Sequence, residues 1–116
     1  MKLERELMRG AGPLAVLKLL EPGEKYGYEL VQSLDKQTGG LLAMGQSTLY
    51  PMLYNLEAKG LIAGRSDTAG SRPRKYYRLT TRGRRKLASD GAQWARLVEA
   101  MQALGLGEQK AAGGMA

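Results

Sequence analysis

Apolar residues recur at helical spacing in three stretches of the first sixty positions and again over the last third of the chain, with a stretch of alternating character between. Leu14, Val16, Leu17 and Leu20 form the first apolar segment. Gly12-Pro13 predicts its start, because proline is tolerated at the first helical position, and Glu21-Pro22-Gly23 ends it. Residues 1–12 carry Leu3, Leu7 and Met8 on one side, and the sequence leaves open whether they extend this helix. A second helix is predicted from Lys25, with Leu30, Val31 and Leu34 at helical spacing and Gly39-Gly40 beyond its end. Tyr26 and Tyr28 are expected to pack at its start. A third helix runs from Gln46 to Lys59, where Leu49, Met52, Leu53 and Leu56 fall at i, i+3, i+4 and i+7 and Gly60 follows as a stop. Pro51 lacks the N–H that would bond the Ser47 carbonyl, so the first turn of this helix should be loosened.

After Gly60 the period changes to two. Ile62 to Asp67 and Arg74 to Thr80 read as short strands, with Tyr77 and Leu79 inward and Tyr76 and Arg78 outward. The turn formers Thr68 to Pro73 join them into a hairpin with arginines at its tip. Thr80 or Thr81 can cap a last helix running to about Leu106. Its apolar stripe is Leu87, Gly91, Trp94, Leu97, Val98, Met101 and Leu104, close to a heptad repeat. So long an amphipathic helix has little domain core left to cover, and it reads as a dimerisation helix. Gly91 weakens it by about 1 kcal/mol relative to alanine, an effect offset if a partner backbone or a ring approaches there. The fold class is therefore mainly α with a small β-hairpin: a winged helix-turn-helix over 1–80, a C-terminal dimerisation helix over 81–106 and a disordered tail over 107–116.

Composition narrows the chemistry. The 116 residues suit one domain that buries roughly 65% of its unfolded surface. They contain no cysteine and no histidine, which removes the thiolate nucleophile, the commonest general base and the usual transition-metal ligands. The carboxylates form no catalytic spacing, so neither an enzyme nor a cofactor is expected. The mixed-charge N-terminus and the interruption of the longest apolar run by Lys18 predict no signal peptide, no membrane span and a cytoplasmic location. Net charge is +7, and no acid stands between Asp67 and Asp90. Eight of the eighteen cationic side chains lie there: Arg72, Arg74, Lys75, Arg78, Arg82, Arg84, Arg85 and Lys86. This block is either a basic binding surface or a solvated one.

The outer face of the third helix adds weight to the first alternative. Ser47, Thr48, Pro51, Tyr54, Asn55 and Ala58 occupy it, without a carboxylate. Short polar groups reach base edges in a DNA groove, and an acid there would meet phosphate repulsion. The other reading is a solvated helix that is merely short of charge. If the helix does enter the major groove, Ser47, Thr48, Tyr54 and Asn55 reach bases or flanking phosphates and Lys59 adds charge, while Arg72, Arg74 and Lys75 of the wing meet the backbone or minor groove. Tyr50, at a different angle on the helix, is expected to pack against the second helix.

In this order and spacing, the residues resemble the PadR family of bacterial transcriptional regulators. The resemblance rests on Tyr26-Gly27-Tyr28-Glu29-Leu30, on Ser47-Thr48-Leu49-Tyr50-Pro51-Met52-Leu53, and on Leu56-Glu57-Ala58-Lys59-Gly60-Leu61-Ile62. Arg74-Lys75-Tyr76-Tyr77-Arg78-Leu79-Thr80, followed by Gly83-Arg84, completes it. It implies a homodimeric repressor on double-stranded DNA with an inverted-repeat operator, read by helix 46–59 and wing 68–75 and dimerised through the last and N-terminal helices. The single C-terminal helix looks like the compact subgroup of that family. Some of its members bind planar aromatic compounds against a tryptophan at the dimer interface. Trp94 stands at the matching position, where it either stacks on such a ligand or only packs the interface. Competing classes are a small-molecule-binding module and a winged-helix module that binds RNA or protein without a specific operator.

Overall fold

The computed structural model describes residues 3–70 and 73–107. Arg72, and the expected disorder of residues 108–116, lie outside them. The elements are α1 (Arg5–Leu19), β1 (Lys25–Tyr26), α2 (Gly27–Gln37), α3 (Gln46–Ala58), β2 (Ile62–Asp67), β3 (Arg74–Leu79) and α4 (Thr81–Ala103). Four helices and a three-stranded antiparallel sheet of order β1-β3-β2 make a winged helix.

Helix α1 begins at Arg5, not at Gly12-Pro13, and continues through Pro13. Proline leaves the Arg9 carbonyl without its helical donor, but the segment is held by burial of Val16, Leu17 and Leu20. Gly12 is buried because Met52 of α3 crosses it; a Cβ there would lie 2.8 Å from the methionine methyl. The second correction concerns Lys25 and Tyr26. They do not open the second helix but form an edge strand, pairing with Tyr77 and Tyr76 of β3. Helix α2 starts at Gly27, and the Glu29 carboxylate accepts the Tyr26 N–H at 2.9 Å.

The core lies where the inner stripes meet. Leu30 and Leu34 of α2, Leu49, Leu53 and Leu56 of α3, and Ile62, Tyr77 and Leu79 of the sheet are buried together with the α1 residues. Helix α3 ends in a Schellman arrangement, with Gly60 at φ +77°, its N–H on the Glu57 carbonyl and the Leu61 N–H on the Leu56 carbonyl. Thr80 then caps α4. Its hydroxyl accepts the Gly83 N–H at 2.9 Å and donates to the Gly60 carbonyl at 2.7 Å, tying the start of α4 to the exit of α3. Helix α4 stops at Ala103, three residues earlier than expected, because Gly105 at φ +101° closes it and the Leu106 N–H bonds back to the Met101 carbonyl.

Candidate nucleic-acid interface

The stripe that buries Leu49, Leu53 and Leu56 forces the opposite side of α3 outward. Ser47, Thr48, Pro51, Tyr54, Asn55, Ala58 and Lys59 are all exposed, Tyr54 at 58%. Gly45 is the N-cap, and the first turn carries no acid, so the positive end of the helix dipole is unopposed by its own side chains. Tyr50 turns the other way. It lies across Gly27 of α2, where a Cβ would come within 2.5 Å of the phenol oxygen, so glycine at 27 sets how closely α2 and α3 approach.

Strand register sorts the wing cations by face. Arg65 pairs with Tyr76 and Asp67 with Arg74, and cross-strand partners share a face. Arg74, Tyr76 and Arg78 therefore look out from the sheet, while Lys75 shares the helix side with Tyr77. On the outer face the cations stack on rings. The Arg74 guanidinium sits 4.7 Å from the Tyr26 ring centre and that of Arg65 4.8 Å from Tyr76. The two rings meet edge to face at 5.6 Å. Arg65 also forks onto Glu24, with Nε to Oε2 at 3.0 Å, a contact that holds the glutamate below its ordinary range. On the helix side, the Lys75 ammonium lies 3.1 Å from a Glu57 oxygen, and that hydrogen bond raises the lysine above its ordinary value.

A groove of about 460 Å³ joins these parts. Tyr26 of β1, Tyr28 from the start of α2, Gln46 and Tyr50 from the first turns of α3, and Arg74 and Lys75 from the wing line it. Of the sequence-predicted contact residues, Arg74 and Lys75 line this groove, whereas Ser47, Thr48, Tyr54, Asn55 and Lys59 lie on the exposed side of α3 outside it; the Lys75 ammonium links the two, 5.9 Å from the Tyr54 ring centre. Tyr28 was expected to pack; it is instead 47% exposed at the groove. Arg65 and Gln46 had no assigned role. The alternation of β2 against β3 was the available signal for Arg65, and for Gln46 it was the departure from the family pattern at that position.

Trp94 belongs to a different surface. It lines a groove of about 640 Å³ between α1 and α4 with Leu14, Lys18, Arg84, Leu87 and Gly91. Beyond it Leu97, Met101 and Leu104 of α4 are exposed, Leu104 at 79%. Among the described residues no helix is long and apolar enough to cross a membrane, and no group of three or more acidic, histidine or cysteine residues could hold a metal ion.

A profile of the transcriptional regulator PadR-like family matches residues 16–89. The chain is similar to a PadR family transcriptional regulator from Eggerthella lenta, with 41% identity, 85% of each chain covered and a TM-score of 0.76. It is 37% identical to Transcriptional regulator Rv3488 of Mycobacterium tuberculosis over 86 residues, 74% of this chain and 78% of that protein. It is also similar to Bacillus subtilis PadR, whose crystal structure is in complex with operator DNA, with 31% identity and a TM-score of 0.62 over 66% of this chain and 44% of that one. With the winged helix in place and the match spanning most of its length, the chain belongs to the PadR-like family of transcriptional regulators, and it is not an enzyme.

Proposed function

We propose that this protein is a cytoplasmic, homodimeric DNA-binding repressor that reads an inverted-repeat operator. The observation that carries the reading is the face of α3: an exposed row of hydroxyls, a phenol and an amide, without an acid, beside a cationic wing. Residues 1–80 form the DNA-binding unit and 81–106 the dimerisation helix. Ser47, Thr48, Tyr54 and Asn55 reach into the major groove, and Lys59, Arg72 and Arg74 meet the backbone or minor groove. Lys75, expected among them, is engaged by Glu57 at 3.1 Å. The crystal structure of Bacillus subtilis PadR in complex with operator DNA supports DNA binding. Repression follows from occupancy, since a dimer seated on a promoter blocks polymerase.

The test is anisotropy of a fluorescent duplex from the gene's own upstream region, at two salt concentrations and against unrelated competitor. Binding that survives competitor and weakens steeply with salt is expected. Binding erased by competitor, or equal binding to single-stranded RNA, would sink the operator reading.

The groove beside Trp94 favours a second role in the same molecule. Its volume falls within the range of small-molecule sites, and its walls are apolar except for Lys18, Glu21 and Arg84. A planar aromatic compound stacked on Trp94 would bias the spacing of the two reading helices through the Thr80 joint and release DNA. Trp94 is the only tryptophan in the chain, so its emission should change on titration with planar aromatic cations or phenolic acids. An unchanged emission would leave Trp94 an interface packing residue.

A further inference from the structure

Lys75 and Glu57 stand eighteen residues apart, yet three independent features bring them together. Strand alternation puts Lys75 on the face that carries Tyr77, toward α3, where its side chain reaches Glu57 while staying 40% exposed. Gly64, the residue of β2 opposite Tyr77, clears the path; a Cβ there would lie 2.4 Å from Lys75 Cε. The Glu57 carboxylate is then held by two donors, the Lys75 ammonium at 3.1 Å and the Gly64 N–H at 3.3 Å. The ammonium also lies 5.3 Å from the Tyr77 ring centre and 5.9 Å from that of Tyr54. Tyr54 precedes Glu57 by one helical turn, so the same bridge borders the DNA-reading face.

We propose that Glu57 is a specificity-determining positioning residue that clamps the wing strand to the reading helix and occupies Lys75, withholding its charge from nucleic-acid phosphates. The inference rests on the DNA-binding reading above. A lysine on a phosphate strengthens binding to every sequence alike, whereas base contacts distinguish sequences. Neutralising Lys75 internally lowers the sequence-independent part of affinity and leaves discrimination to the α3 face. The clamp also fixes where the wing lies relative to Tyr54 and Asn55.

The test measures affinity of the full chain for an operator duplex and for an unrelated duplex across a salt series. Glu57→Gln retains an oxygen for the Gly64 N–H and removes the charge that holds Lys75. It should steepen the dependence of log affinity on log salt by about 0.9 per subunit engaged, so that the unrelated duplex is bound roughly three- to fourfold more tightly per fourfold drop in salt than the parent slope predicts with one subunit engaged, and about twelvefold with both. The freed lysine strengthens both duplexes alike, but the ratio of operator to unrelated affinity should fall because the wing is no longer fixed relative to Tyr54 and Asn55. Adding Lys75→Met to Glu57→Gln should abolish the gain; a gain that persists would come from lost carboxylate repulsion and would overturn the proposal. Should Glu57→Gln fail to fold, Lys75→Met in the parent chain decides alone. A slope within about 0.3 of the parent's supports the clamp, and a loss of about 0.9 per subunit engaged overturns it. If the parent chain shows no salt-dependent duplex binding, the DNA reading itself fails and the clamp's proposed role falls with it.

Discussion

Single residues divide here into those that set distances and those that read. Gly83 is the strictest of the first kind: a Cβ would lie 1.9 Å from the Leu61 carbonyl oxygen, and neither the capped turn nor the strand start can move away. Gly83→Ala should destabilise the fold by about 1–3 kcal/mol, seen as a lower urea midpoint; an unchanged midpoint would mean that the α4 joint is not as tight as described. Asn55, proposed to read bases, and Arg74, proposed to meet the DNA backbone, should fail differently. Asn55→Ala should change which operator variants are preferred. Arg74→Ala should weaken all duplexes alike and flatten the salt slope by about one unit. Uniform weakening by Asn55→Ala would remove it from base readout. Much of this was legible in the order of residues, because the period of α3 alone separates Leu49 and Leu53 from Thr48 and Asn55. The partner of Lys75 was not, since a pair eighteen positions apart leaves no periodic trace, although alternation with Tyr77 already pointed the lysine at the helix.

At the scale of elements, the helices and the hairpin followed from periodicity, and the misses share a cause. β1 is two residues long, too short for any period, and its partners Tyr76 and Tyr77 lie some fifty positions later, so only the assembled sheet reveals it. The helix through Gly12-Pro13 went against local propensity, which loses to the burial of Val16 and Leu17 and to the fit of Gly12 under Met52. Helix α4 is the element with unspent surface. Only Gly83 and Leu87 of it are buried, and the stripe from Trp94 to Leu104 faces outward. In the proposed dimer a second copy would cover this face with the same stripe. Leu97→Glu with Met101→Glu should convert a particle of twice 12.6 kDa to one of 12.6 kDa in sedimentation, without loss of helicity. A parent chain that already sediments as a monomer would remove the dimerisation role from α4.

Across the whole molecule, α4 explains the elongated shape, 60 × 29 × 23 Å. Its 23 residues extend about 35 Å, one end fixed by Thr80 to the exit of α3 and the other projecting past the core. Pairing two copies through the projecting part would place two α3 faces under a common two-fold axis, with a separation that the rigid Thr80 joint passes on from the interface. DNA with half-sites about 34 Å apart matches such a reader, and a ligand at Trp94 would act by altering that separation. Hydroxyl-radical footprinting on a duplex that the protein itself enriches from a random pool tests this most directly. Two protected backbone patches are expected, related by two-fold symmetry and centred about one helical turn apart. A single patch, uniform protection, or no enriched sequence at all would contradict it.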